Sequence, residues 1–563
     1  MTYDVVIRNG LVVDGSGAKS YRADVGISGG RIAEIGRLAD RGKAEVDAEE
    51  AIVTPGFIDG HTHMDAQLFW DSAGSWSCYH GVTSVVMGNC GFTLAPSSED
   101  EAELVIRNFE RAEDIPAAAL HSGIRWAWTS FAEFLQVVDS MPKTLNYAAN
   151  IGHSALRTHV MGERAFEETA TPDDLARMDA ELRDAMRAGA FGFTSSRSHH
   201  HETADGRPVA SRLASEDELA HLVEVAAEEG GTLFQWAYDQ PSPDEKSARI
   251  NWIMDLAART RMPFALAAVG RNAPPALETI DAVASAGGRA FGVTHPRGIG
   301  ALCSFRTQLP FDRIPEWQSV RALPEEAQAA ALRDPEVRRQ LVVSANEAKY
   351  LDGIGGEPRP PDFNTMRVLL NPIPPNPSVA ELASERRMDP IEVMIEVTLE
   401  RDFDVFFWQP ISPVDKEALP GLLRDPRIVL GFSDAGAHVG QMADHSIYTH
   451  VLGYLVRQQG TLGIEEAVQM MTSRPAQAWG LPDRGLIKVG LSADMNVIEP
   501  DRVTPEMPTL CHDLPGGGTR VKQLSKGIRA TLVDGQVVVK DGVHTNALPG
   551  SLLQRGRVKQ SAQ

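Results

Sequence analysis

Seven short apolar runs, at 84–87, 145–151, 232–236, 263–268, 290–294, 404–408 and 428–432, are separated by longer segments that include the helical stretches 172–188, 215–229 and 464–474. This alternation constrains the fold more than any other feature of the chain. A strand that returns parallel to its predecessor needs a crossover of roughly a dozen residues, and a helix supplies it. Thr171, followed by Pro172, Asp173 and Asp174, is a good helix start, with the hydroxyl as N-cap and proline in the first turn. About eight such βα units predict a closed (β/α)8 barrel of the TIM type. An open doubly wound sheet is the alternative, but no Gly-x-Gly-x-x-Gly follows the first strand.

The two ends of the chain read as β-structure. The run 3–9 meets a hairpin signal at Asn9-Gly10, and 23–27 turns through Gly29-Gly30 into 31–35. At the far end, 494–498 precedes a hairpin made of 530–533, Asp534-Gly535 and 536–539. We therefore expect an α/β chain: a (β/α)8 barrel over 56–480 and one small β-domain built from both termini, 1–55 and 481–548. The segment 299–378 breaks the rhythm. It carries helical pieces at 325–333 and 334–344 and Gly/Pro-rich stretches at 353–361 and 371–378, so it reads as an insertion over the barrel mouth. The polar tail, 549–563, is expected to be flexible.

Composition excludes several classes. The 563 residues are 43% hydrophobic and 23% charged, as in an ordinary globular protein. A net charge of −22 argues against a nucleic-acid or anionic-membrane surface, because a phosphate binder needs a basic face. No apolar run approaches the roughly 20 residues that span a bilayer. Four scattered cysteines make no disulfide framework, and the N-terminus has no basic-then-apolar leader, so the expected compartment is the cytoplasm. The expected partner is a small-molecule substrate, with no nucleic acid and no membrane; self-association into a homo-oligomer is compatible with the sequence.

The sharpest local feature is the run from Val53 to His63, in which a short apolar strand ends in His61-Thr62-His63. Side chains at i and i+2 share a face of a strand, so both imidazoles can meet one metal at the strand's carboxyl end, where barrel active sites sit. Asp434, in Ser433-Asp434-Ala435-Gly436, ends the run 428–432. It reads either as a metal ligand that exchanges a proton with water or as a helix cap. Cys90, in Gly88-Asn89-Cys90-Gly91, reads either as a thiolate ligand or as an inert buried thiol. The same strand-end rule marks His153 as a candidate for steadying an oxyanion, and it marks Arg157, Gln235, Tyr238, His295, Arg297 and His438 as candidates for substrate binding. A structural hydrogen-bonding role is open for each. His445 is a further candidate lining residue, and the tract His199-His200-His201 lies in a polar loop.

Together these stretches resemble the amidohydrolase superfamily, and more narrowly its N-acyl-D-amino-acid deacylase (D-aminoacylase) branch. The resemblance rests on 55–63, Gly88-Asn89-Cys90-Gly91, Ile151-Gly152-His153, Ser433-Asp434 and 485–494, and it extends over nearly the whole chain. It implies the distorted barrel with its small β-sandwich, and zinc held by His61, His63, Cys90 and Asp434. It also implies that the cysteine replaces the carboxylated lysine usual in the superfamily, and that Asp434 is the acid/base. One departure stands out. Family members carry two further histidine ligands at the ends of barrel strands five and six, whereas here those strands read Phe234-Gln235-Trp236-Ala237-Tyr238 and 265–270, without histidine. A single zinc ion per chain is the expected form.

The expected chemistry is hydrolysis of an amide carbon–nitrogen bond by metal-activated hydroxide, with Asp434 moving the proton to the leaving nitrogen. Two alternatives use the same scaffold. One is opening of a cyclic amide, imide, lactone or activated carbon–carbon bond, and the other is a non-catalytic homologue that binds a metal or small ligand.

Overall fold

A computed structural model describes residues 3–239, 242–351 and 353–555. Eight parallel strands run through its centre: β1 (Phe57–Asp59), β2 (Val82–Met87), β3 (Asn146–Ala149), β4 (Phe193–Arg197), β5 (Phe234–Tyr238), β6 (Phe264–Ala267), β7 (Ala290–Thr294) and β8 (Ile428–Leu430). β1, β2 and β3 form one parallel ladder. After Asn150 the chain of β3 resumes as Ile151–Gly152, and from there β4 to β8 pair in chain order. Just past β1 and β8, Thr62 and Ala435 form a parallel bridge.

Each strand, or the residue entering it, sends one side chain into a shared cluster. These are Ile58, Val86, Ala148, Phe191, Leu233, Ala265, Val293 and Val429, and Trp479 packs among them. Burying each of the larger side chains stabilises the fold by about 1.5–3 kcal/mol. Gly60 is required beside this cluster, because a Cβ there would lie 2.2 Å from the Trp479 ring. β4 is too polar, as Phe-Thr-Ser-Ser-Arg, for hydrophobic periodicity to mark it.

The run at 404–408 does not join these strands. It leads into Phe407–Ser412, which pairs antiparallel with Ile299–Cys303 and with Arg367–Val368. This three-stranded sheet and the helices around it share their own core, which includes Phe305, Trp317, Leu341, Val368, Ile391 and Phe407. The expected boundary at 378 therefore cuts through a packed unit that closes only at 412. Local apolarity reports burial and cannot report the direction of the partner strand.

Both termini meet in a nine-stranded sheet. Its joint is Ile52–Pro55 pairing antiparallel with Met495–Ile498. The glycine-containing turns behave as read: Gly29 and Gly30 have φ of 58° and 73°, and Asp534 and Gly535 have 48° and 74°, suiting tight hairpins. Asn9-Gly10 is different. The strand Tyr3–Val12 runs straight through it with a register break, and a Cβ on Gly10 would lie 2.4 Å from Val53 Cγ2. Here the glycine serves close approach, and no hairpin forms.

The tail is also more ordered than expected through 555. Leu552–Leu553 pairs in parallel with β3, whose edge is free there because β4 pairs only beyond the bend, and Arg555 donates to the Met186 carbonyl at 2.8 Å. Residues 556–563 lie outside the described residues. Among the described residues, no helix is long and apolar enough to cross a membrane.

Candidate metal centre

His61 and His63 leave the end of β1 with their ring centroids 5.5 Å apart. Thr62 between them turns away and donates to the Val86 carbonyl at 2.9 Å. The loop after β8 is laced to the same segment, with Asp434 N donating to His61 O at 3.2 Å and His63 N to Ala435 O at 2.8 Å. Asp434 Oδ1 thereby lies 3.3 Å from His61 Nε2 and 3.6 Å from His63 Nε2. Phe432 stacks on the His61 ring at 4.0 Å and limits its rotation.

Cys90 arrives on the turn after β2, with Sγ 3.4 Å from His61 Nε2. Ligand atoms of His61, His63 and Cys90 all fall within 4.8 Å of one another. Three residues here adopt left-handed backbone: Cys90 (φ 55°), Asp434 (50°) and His438 (48°). Such conformations cost about 1–3 kcal/mol each and persist where surrounding bonds over-determine them. For Cys90 those bonds are its own amide donating to Gln235 Oε1 at 2.7 Å, Asn89 Nδ2 to Thr62 O at 3.1 Å, and Gly91 N to Thr194 Oγ1 at 3.0 Å.

The electrostatics show a group of donors without a counter-charge. Burial pushes Asp59, Asp65 and Glu113 up to about 7 and the Cys90 thiol up to about 11. Burial also pushes His61 and His438 down to about 4. Against the same burial, neighbouring Glu113, Asp434 and Cys90 hold His63 well above its ordinary value. Asp59 Oδ2, Asp65 Oδ1, Glu113 Oε1 and His63 Nδ1 are buried without a hydrogen-bond partner. An orphaned buried polar atom is costly. Two imidazoles, a thiol and a carboxylate converging beside several such atoms fit a divalent cation with N, S and O ligands.

Several expected site residues lie elsewhere. His153 is spent at both nitrogens, Nδ1 on Ser195 Oγ and Nε2 on Glu218 Oε1, each at 2.9 Å. Arg157, fully buried, binds Glu218 at 2.5 and 2.6 Å. Neither is free to touch substrate, which corrects both readings. Gln235 points inward but holds the Cys90 amide. Tyr238 lies on the opposite side of β5, its ring 4.7 Å from that of Trp236, which in turn meets Trp252 of the following helix. It therefore faces away from the centre.

His295 and Arg297 engage Asp444, His295 Nε2 at 3.2 Å from Oδ2 and Arg297 Nη2 at 2.5 Å from Oδ1. Arg297 and Asp444 also border a cavity of about 960 Å³, walled by Leu302, Leu369, Trp408 and a run of prolines. A separate narrow cleft reaches Asp434 and is lined by Trp76, Ala437, His445 and Arg520; Asp444 borders both spaces. His438 does join the centre, with Nε2 3.9 Å from Glu113 Oε2. Of the histidine tract, His199 pairs with Asp239 at the surface, while the His201 ring packs 5.1 Å from Phe92.

Sequence reasoning missed Asp65 and Glu113. Asp65 continues the alternation of His61 and His63, so the same period-two rule extended by one step finds it; it accepts from Gly88 N at 3.0 Å. Glu113, on a loop, has no local signature.

A model of the amidohydrolase family matches residues 44–539. An uncharacterized protein of Mycobacterium tuberculosis is 29% identical over 99% of this chain and 97% of its own length. The N-acyl-D-aspartate deacylase of Alcaligenes xylosoxydans xylosoxydans is 27% identical over 98% and 95%. Among solved structures, the N-acyl-D-glutamate deacylase of Bordetella bronchiseptica, complexed with zinc and a phosphonate inhibitor, superposes with a TM-score of 0.65 at 24% identity, over 98% of this chain and 100% of that one. The chain belongs to the amidohydrolase family and is a metal-dependent hydrolase of carbon–nitrogen bonds other than peptide bonds.

Proposed function

We propose that the protein is a zinc-dependent deacylase of N-acyl-D-amino acids. The observation that carries this reading is the convergence of His61, His63, Cys90 and Asp434 beyond the carboxyl ends of β1, β2 and β8. The full-length similarity to the Alcaligenes deacylase supports the substrate class. Two imidazoles with a carboxylate and a thiolate suit zinc better than a hard cation such as magnesium. An ion held there supplies Lewis acidity to the scissile carbonyl and to water. Asp434 takes a proton at its carboxylate from the attacking water and hands it to the leaving nitrogen. Phe432 and the buried walls exclude bulk solvent, which strengthens every charge interaction inside. Asp444 borders both the narrow cleft that reaches Asp434 and the cavity of about 960 Å³, and Arg297, paired with Asp444 at that junction, reads the substrate carboxylate. Leu302, Leu369 and Trp408, all from the 299–412 unit, contribute the apolar wall for the acyl group.

The same reading takes the two parallel ladders as one distorted (β/α)8 barrel. The cluster fed by all eight strands and the Thr62–Ala435 bridge support closure. It takes the nine-stranded sheet from 1–55 and 481–548 as the β-sandwich, and 299–412 as the insertion. Four free cysteines are consistent with a reducing cytoplasm.

A panel of N-acetyl-D-amino acids, their L-enantiomers and cyclic amides, assayed with zinc-loaded protein, tests the proposal. Release of free D-amino acid with little activity on the other two groups is the expected result. Turnover of the cyclic amides alone would replace the deacylase reading with ring opening.

A further inference from the structure

We propose that Gln235 is a catalytic residue: its side-chain amide donates to the oxyanion that forms when water adds to the scissile carbonyl. The inference rests on amide hydrolysis alone, whichever amide is the substrate.

The strand places the residue. Leu233 feeds the shared core cluster, and Gln235, two residues on, lies on the same face of β5 nearer its carboxyl end. Its neighbours in register are Thr194 on β4 and Ala265 on β6, and the alanine carries no group that could bond the amide.

Chemistry fixes which way the amide points its two ends. The Cys90 N–H can only donate, and it meets the carboxamide at 2.7 Å, so the atom it meets is the oxygen, Oε1. Nε2, with two N–H donors, is the other end, and among the described residues it has no hydrogen-bond partner. Gln235 is only 5% exposed. A donor this deep is costly to leave unmade unless something brought to the site accepts from it.

The neighbouring side-chain donors are committed. Asn89 Nδ2 donates to Thr62 O at 3.1 Å and Val86 O at 3.0 Å, and Thr194 Oγ1 donates to Gly88 O at 2.6 Å. His153, expected to steady the oxyanion, is held by Ser195 and Glu218. That leaves Gln235 Nε2 beside Cys90, whose Sγ lies 3.4 Å from His61 Nε2. The bond that fixes Oε1 also pre-orients Nε2, so the donor needs no reorganisation as charge develops.

As water adds, a carbon–oxygen bond forms at the carbonyl carbon and the π pair moves onto the carbonyl oxygen. Nε2–H bonds to that oxygen and keeps its proton. The pair returns when the carbon–nitrogen bond breaks, and Asp434 carries the water's proton to the leaving nitrogen. Gln235 thus has a use of its own at the end of β5, where the family's histidine ligand is missing.

The test uses zinc-loaded full-length protein and the compound that the wild type turns over fastest among N-acetyl-D-amino acids, their L-enantiomers and cyclic amides. Gln235→Glu lacks the donor but keeps an acceptor for the Cys90 N–H; Gln235→Met lacks the donor and offers only a weak acceptor. For each, kcat, KM and zinc per chain are read, together with the thiolate-to-metal charge-transfer band of the cobalt(II)-substituted protein. In both variants kcat is expected to fall by about 10²–10³-fold with KM close to wild type. Zinc and the charge-transfer band are expected to persist in Gln235→Glu. Wild-type kcat in either variant would overturn the proposal, and so would a rise in KM at unchanged kcat. Loss of turnover with loss of zinc or of the band in Gln235→Glu would also overturn it, because Gln235 would then act only by holding the Cys90 turn. A wild type that hydrolyses none of these compounds would overturn it as well. Turnover of the cyclic amides alone would replace the deacylase reading and leave this one standing.

Discussion

His153, Arg157 and Glu218 make one buried cluster of imidazole, guanidinium and carboxylate; His61, His63, Asp434 and Glu113 make another of imidazoles and carboxylates. The first is complete but for Arg157 Nε, which is buried without a partner. Glu218 takes His153 at 2.9 Å and Arg157 at 2.5 and 2.6 Å, His153 spends its second nitrogen on Ser195, and Arg157 reaches the Glu168 carbonyl at 2.7 Å. Among the described residues, the second leaves His63 Nδ1 and Glu113 Oε1 without partners, has no arginine or lysine in an ion pair with its carboxylates, and holds Cys90, Asp434 and His438 in left-handed backbone. Satisfaction separates a structural network from a functional one. A fold that pairs both oxygens of a buried carboxylate with a guanidinium and an imidazole has used that cluster to hold itself together. A fold that leaves donors and acceptors open at a strained site leaves room for something else to complete them.

The largest expected effect falls on the open cluster. Asp434→Asn should lower kcat by about 10²–10⁴-fold while the melting temperature stays near wild type. Steady-state kinetics beside a thermal melt check this, and an active Asp434→Asn would break the comparison at its centre. The closed cluster should behave the opposite way. Glu218→Gln strands the Arg157 guanidinium and should cost about 3–5 kcal/mol of stability. Metal content and turnover per folded molecule should be unchanged; urea unfolding with zinc analysis reads all three. A smaller effect sharpens the same contrast through pH. Against its burial, His153 and Arg157 hold Glu218 down to about 2, below the usual carboxylate range. Its contribution is therefore fully present above the unfolded value near 4.5 and fades as pH falls toward 2. The stability gap between wild type and Glu218→Gln should narrow between pH 5 and pH 3, measured by urea unfolding; a constant gap would remove the ion pair as its cause.

Legibility followed the range of each interaction. His61 and His63 were readable because two residues on one strand face must converge, and Asp434 because strand ends of a parallel sheet gather at one rim. The sidedness of β5 was equally available: Gln235 inward and Tyr238 outward follow from the two-residue period, but the strand-end rule treated them alike. His153 and Arg157 satisfy the same positional rule as the residues of the candidate centre, and nothing local distinguishes them, because their partner Glu218 lies 61 residues beyond Arg157. Glu113 and His201 come from loops whose path over the rim depends on how the neighbouring helices pack. The 404–408 run misled because an apolar segment looks the same whether its partner runs parallel or antiparallel.

The sequence alone determined the alternation of strand and helix, the pairing of both termini into one sheet, and the two imidazoles on a common face. These are set by backbone periodicity and by hydrophobic burial over a few residues. Tertiary structure alone decided which buried polar groups are satisfied, which face the rim, and which loops bring Glu113 and His438 beside His63. Hydrogen-bond completion is a property of side chains brought together across the whole chain, and no local pattern encodes it.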